Sequence, residues 1–181
     1  MNFARKVKVM IWKEVTSELR AKEMLSAMLV FSLLVVATFG FALPSDKDLI
    51  QRVLPGILWV TLAFAANLGL NRSFTAERHN DCLYGLMLCP VDRSAIFFSK
   101  LVMNMLLMAV VEVISVPAFF VMFNYKTPSN LGMFILVLAL GTYSFMTVGT
   151  FLSALSAGTR NSEVLLPILM IPLIIPVLIC A

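Results

Sequence analysis

The chain has 181 residues, 60% of them hydrophobic and only 13% charged, with a net charge of +4. A soluble domain carries about 25% charged residues and could not hide this much apolar surface, so composition excludes a soluble globular fold and leaves a polytopic membrane protein. The continuous apolar runs exclude a strand barrel, and so small a positive charge, spread over loops, excludes a nucleic-acid surface.

Residues 3–19 form the first expected element, an amphipathic helix. Phe3, Val7, Met10, Ile11, Val15 and Leu19 recur at helical spacing, while Lys6, Lys8, Lys13, Glu14 and Glu18 fill the positions between. Such a helix lies in the headgroup plane with its cations toward anionic lipid, where Trp12 is also at home. Residues 1–24 are read as this interfacial segment and 25–181 as one transmembrane domain.

Five runs are long enough to cross a bilayer, at 25–43, 53–70, 101–123, 131–157 and 164–181. The first follows a charged segment and lacks a small-residue cleavage site, so it is not a signal peptide. The fifth runs into the end of the sequence with no polar cap, which leads us to expect either further chain beyond it or an unusually short protein. Alternating sides puts eleven Lys and Arg with the N-terminus and three opposite. The positive-inside rule then places the N-terminus, the 71–100 loop and the 158–163 loop in the cytoplasm. The three cysteines, Cys82, Cys89 and Cys180, do not make a disulfide framework.

The 71–100 segment is the longest polar gap and the strongest functional signal. Glu77 and Arg78 give it a charged head, Leu83, Leu86 and Met87 an apolar stripe, and Pro90 a stop. Thr75 and Asn80 are candidate caps for a short helix between them. A short amphipathic helix rooted in two spans can fill a groove on a soluble ATPase; it can also rest on lipid. The chain itself has neither a G-x-x-x-x-G-K-[ST] nor a G-x-G-x-x-G motif, so nucleotide hydrolysis is expected in a separate subunit.

Glu112 is the one acid inside a span, where a carboxylate costs about 2.5–3.5 kcal/mol and should face protein or water. Asn104 and Ser115 lie on broadly the same side of that helix, making a polar seam for a translocation path, a subunit contact or simple packing. Gly149, Ser153 and Ala157 form a small-residue stripe that lets helices approach closely, either within the bundle or against a second permease copy. His79 and Cys89-Pro90 are side chains of types that ligate haem, but they fall in the loop, and no ligand role is assigned to them. No His, Cys and Asp cluster of metal type and no Ser–His pair with a pocket is legible, so no catalytic or metal residue is assigned.

Glu77-Arg78, the run Leu83-x-Gly85-Leu86-x-Leu88-x-Pro90-Val91-Asp92-Arg93-Ser94, and Lys100 together resemble the cytoplasmic loop of the cytochrome c maturation protein B family. Pro55-Gly56-x-x-Trp59 and Leu68-Gly69-Leu70-Asn71-Arg72-Ser73-Phe74 are similar to its second span, and Glu163-Val164-Leu165-Leu166-Pro167 to its fifth. The chain departs from the family pattern at Asp81 and Tyr84, and since the family usually has six spans where five are visible here, a sixth is expected to be missing from this sequence.

The resemblance implies an all-α, ABC-2-like permease bundle in the bacterial inner membrane. Its partners would be an ABC ATPase, a haem-handling membrane protein and a haem chaperone of cytochrome c maturation. Haem would be cargo of the complex, and ATP would bind the partner. It further implies that Glu77, Arg78, Leu83, Tyr84, Gly85, Leu86 and Pro90 form the ATPase-coupling interface. An exporter permease for another cargo, such as a lipid or drug, and a non-transporting membrane scaffold are the alternatives.

Overall fold

A computed structural model describes residues 3–43, 47–79, 93–124, 130–156, 168–170 and 172. Five helices carry nearly all of them: α1 Phe3–Ala21, α2 Glu23–Ala42, α3 Lys47–His79, α4 Arg93–Met122 and α5 Leu131–Ser156. Four of these, α2 to α5, contain stretches long and apolar enough to cross a membrane. They correspond to the first four runs read from the sequence. Most of the fifth run, 164–181, lies outside the described residues.

α3 is the inner helix of the bundle. Its membrane stretch is 61% buried, against 17–28% for the other three. It packs on α2, α4 and α5, and α4 also packs on α2 and α5. The core holds Leu54, Leu58, Leu62, Ala66 and Leu70 of α3 with Met108 and Val111 of α4 and Met146 of α5. The outward faces are apolar as well, as with Val30, Val113, Val121 and Leu140, the pattern expected where lipid replaces water outside the bundle.

α3 has 33 residues, about 50 Å at 1.5 Å per residue, against a hydrocarbon core about 30 Å thick. Its apolar stretch ends at Ser73, and the helix continues past it to His79. This corrects one expectation. Thr75 lies inside α3 and so cannot begin a separate helix; the segment after Ser73 contains Ala76, Glu77 and Arg78, good helix formers, and no Gly or Pro to stop it. α4 likewise begins at Arg93, eight residues before the expected span. Both ends of the long polar segment are therefore helical: residues 74–79 extend α3 past its apolar stretch, and residues 94–100 belong to the apolar stretch of α4 itself.

α1 and α2 meet at an elbow on Lys22, whose backbone is left-handed (φ 53°). The Glu18 carboxylate sits across the elbow and accepts from the backbone N–H of Met24 at 2.9 Å and of Leu25 at 2.8 Å. It thereby satisfies two of the four N–H groups that the start of α2 leaves open, and places negative charge at the positive end of the helix dipole. Replacing Glu18 with Ala should cost about 1 kcal/mol at this cap, seen as faster hydrogen exchange of the Met24 and Leu25 amides. Unchanged exchange there would show that the cap contributes nothing. At the other end, Asn130 caps α5, accepting from the N–H of Met133 at 3.4 Å.

The expected lipid-facing stripe of α1 is used differently. Val7, Met10, Ile11 and Val15 are half-buried, with α1 lying along α4 and Val15 packed against the core. Leu19 is exposed because the neighbouring Glu18 takes the inward position there. The face turned away from the bundle mixes Arg5, Lys8 and Arg20 with Val9 and Trp12.

Candidate functional site

Two sets of polar side chains stand out inside the bundle, one along α4 and one at the end where α1 lies. Along α4, Asn104 is fully buried and its Nδ2 donates to Thr150 Oγ1 of α5 at 3.3 Å. Its Oδ1 has no partner among the described residues. Glu112, two turns on, accepts a hydrogen bond from the Thr142 hydroxyl of α5. Ser115 shares a buried hydrogen bond of 2.9 Å with Ser32 of α2.

The three residues do share a side of α4, but the helices that meet them differ, because α4 is wedged between α5 and α2. Buried Met108 stands one turn from both Asn104 and Glu112, so an apolar side chain interrupts the row. Each of the three side chains makes one hydrogen bond to a hydroxyl on a facing helix, the usual way a bilayer-embedded polar side chain is satisfied, while Asn104 Oδ1 is left without one among the described residues.

The small-residue stripe on α5 faces α3. Ser153 donates to the carbonyl oxygen of Leu70 at 3.0 Å. A Cβ added at Gly149 would come within 2.5 Å of Leu70 Cδ1 and 2.7 Å of Met170 Cε, so a side chain enters there only if both give way. Gly141, two turns earlier, is likewise covered by the Trp59 ring of α3. Gly149 and Ser153 thus serve packing within this chain. Ala157 lies outside the described residues.

At the end of the bundle carrying α1, Lys100 is 3% exposed although its ammonium is charged. Nζ donates to Glu14 Oε2 of α1 at 3.0 Å and to the carbonyl oxygen of Ser73 of α3 at 3.0 Å. A buried cation needs this double satisfaction. One side chain therefore ties three helices together just inside the long polar segment. Arg72 adds an exposed tie from α3 to α2, with its guanidinium 3.7 Å from the Glu23 carboxylate. Sequence reading counted Lys100 as a topological charge and a loop motif and missed its pairing. The available signal was its position one turn before Asn104, on the polar side of α4.

Of the expected coupling residues, Glu77 and Arg78 lie on the last turns of α3, beyond its apolar stretch. Leu83, Tyr84, Gly85, Leu86 and Pro90 lie outside the described residues, as does Asn80, the second candidate cap.

Similarity to known proteins agrees over the chain's length. Residues 5–181 match the family described as CcmB protein. A Rhodobacter capsulatus protein named heme exporter protein B is 30% identical over 151 residues, 83% of this chain and 69% of that protein. A Haemophilus influenzae protein of the same name is 32% identical over 151 residues, 83% of this chain and 68% of its own. An Escherichia coli K12 protein of that name is 29% identical over 178 residues, 96% of this chain and 80% of its own. With its apolar helices, its buried interhelical hydrogen bonds and this end-to-end match, the chain is a multi-pass membrane protein that belongs to the CcmB family.

Proposed function

We propose that this chain is the transmembrane permease subunit of an ABC-type complex in cytochrome c biogenesis, sited in the bacterial inner membrane with its N-terminus in the cytoplasm. The observation that carries the reading is the match to proteins named heme exporter protein B over 83–96% of the chain. The distribution of Lys and Arg supports the orientation.

A separate ATPase binds ATP and grips the segment between α3 and α4 through Glu77, Arg78, Leu83, Tyr84, Gly85, Leu86 and Pro90. The geometry supports that role in one specific way. α3 continues as a helix beyond its apolar stretch, from Ser73 to His79, and α4 is helical from Arg93, so a helix leads into each side of the segment as a stiff stem. Force applied to the segment tilts the stems and, with them, the α2–α5 bundle. The output is haem delivery, or release of a haem-loaded chaperone from a haem-handling membrane protein. Haem is cargo of the complex, and no residue of this chain is assigned as its ligand.

The test is covalent haem in c-type cytochromes in a strain lacking this protein. The expected result is a loss of at least tenfold, restored by the wild-type gene. Normal cytochrome c would remove the haem pathway and leave a permease for another cargo. A restored strain whose tagged protein co-purifies with no ATPase would leave a scaffold.

A further inference from the structure

α1 carries two carboxylates one turn apart, and each grips a different helix. Glu14 holds Lys100 at the root of α4, and through that ammonium the carbonyl of Ser73 at the root of α3. Glu18 holds the first N–H groups of α2. The contacts thus run without a gap from both stems of the cytoplasmic segment, through α1, to the start of α2. Glu14 also lies 3.5 Å from Lys13, an exposed neighbour.

The Lys100 ammonium is costly where it stands. Burial removes its hydration, and an apolar residue of similar volume would pack there at no such cost. A charge kept in that position fixes the register of three helices rather than adding stability. The bond is also directional: sliding α4 along α1 by one turn would part Nζ from Glu14 and break the tie between the two helices there.

We propose that the Glu14–Lys100 ion pair is the joint that makes α1 move with the stems of the cytoplasmic segment, passing their displacement to α2 through the Glu18 cap. Both are positioning residues; neither touches cargo or nucleotide. The inference rests on the permease reading, because it needs a partner that moves the stems.

The experiment uses the complex purified with its ATPase. Labels at Ser17 of α1 and Leu155 of α5, both exposed, report their separation with and without a non-hydrolysable ATP analogue. The wild type should show a nucleotide-dependent change. The double variant Glu14→Leu with Lys100→Met removes both charges together and leaves neither stranded. It should retain the ATPase in a pull-down, lose the change in separation, and lower covalent haem in c-type cytochromes at least tenfold. Should that variant accumulate poorly in membranes, Glu14→Gln alone carries the same test, since it keeps an acceptor for Lys100 while removing the charge. A wild-type separation that ignores nucleotide overturns the joint while the ATPase stays bound, as does a variant that moves and functions normally. If the wild-type protein holds no ATPase at all, the permease reading falls, and the joint with it.

Discussion

Leu83→Asp or Leu86→Asp should abolish ATPase co-purification while leaving the protein in the membrane at its normal level. The two leucines stand three residues apart, one helical turn, between the stems formed by α3 and α4. On one face of a short helix they would fill an apolar groove, and a carboxylate forced into that groove loses its hydration without gaining a partner. Central apolar anchors of an interface typically contribute about 2 kcal/mol or more each, roughly thirtyfold in affinity. The effect should therefore be near-complete in a pull-down. Insertion should be unaffected because both residues fall in the polar 71–100 segment, outside the apolar runs of the sequence. An unchanged pull-down from both variants would show that the ATPase docks elsewhere.

Gly149→Leu should destabilise the bundle by about 1–3 kcal/mol, the range for overpacking a close-packed site. The added side chain would push α5 off α3 at the point where Leu70 and Met170 close over the glycine. One turn further on, it would stretch the bond from Ser153 to the Leu70 carbonyl, whose loss leaves a buried hydroxyl unmatched. Gly149→Ala should cost less, since the atoms facing it are the ends of a leucine and a methionine, which can turn aside. Phe151→Leu, on the exposed face, is the control and should be close to neutral. Denaturation in mixed detergent reads all three. If Gly149→Leu were as stable as the control, the close approach of α5 to α3 would be wrong.

Much of the fold was legible because the bilayer constrains the chain so tightly. Every backbone polar group in a span must be satisfied within a helix, so continuous apolar runs give α2 to α5 almost directly. The ends of the helices were less legible. Residues 74–79 are helical although hydropathy gives no sign of it, because helix formation follows local propensity and not polarity; residues 94–99 belong to the apolar stretch of α4, which begins at Ser94 rather than at residue 101. The side of α1 that packs was legible as a stripe; what it packs on was not, since headgroups and α4 both accept apolar residues.

The interior contacts divide in the same way. Gly149 and Ser153 advertise close approach by their size, yet nothing in a spacing of four says whether the neighbour is α3 or a second copy. Asn104, Glu112 and Ser115 were legible as a row on one face. Their assignment to Thr150, Thr142 and Ser32 depends on α4 sitting between α5 and α2. Lys100 was the least legible, because its partners Glu14 and Ser73 are distant in sequence and meet only after three helices assemble.

A photo-crosslinking amino acid placed at Leu86 tests the whole scheme most directly. In membranes containing the intact complex, illumination should join this chain to its ATPase, and mapping the adduct should find a groove of that subunit. Crosslinks only to phospholipid, with the ATPase still co-purifying, would contradict the scheme by putting the motor's grip somewhere other than between α3 and α4.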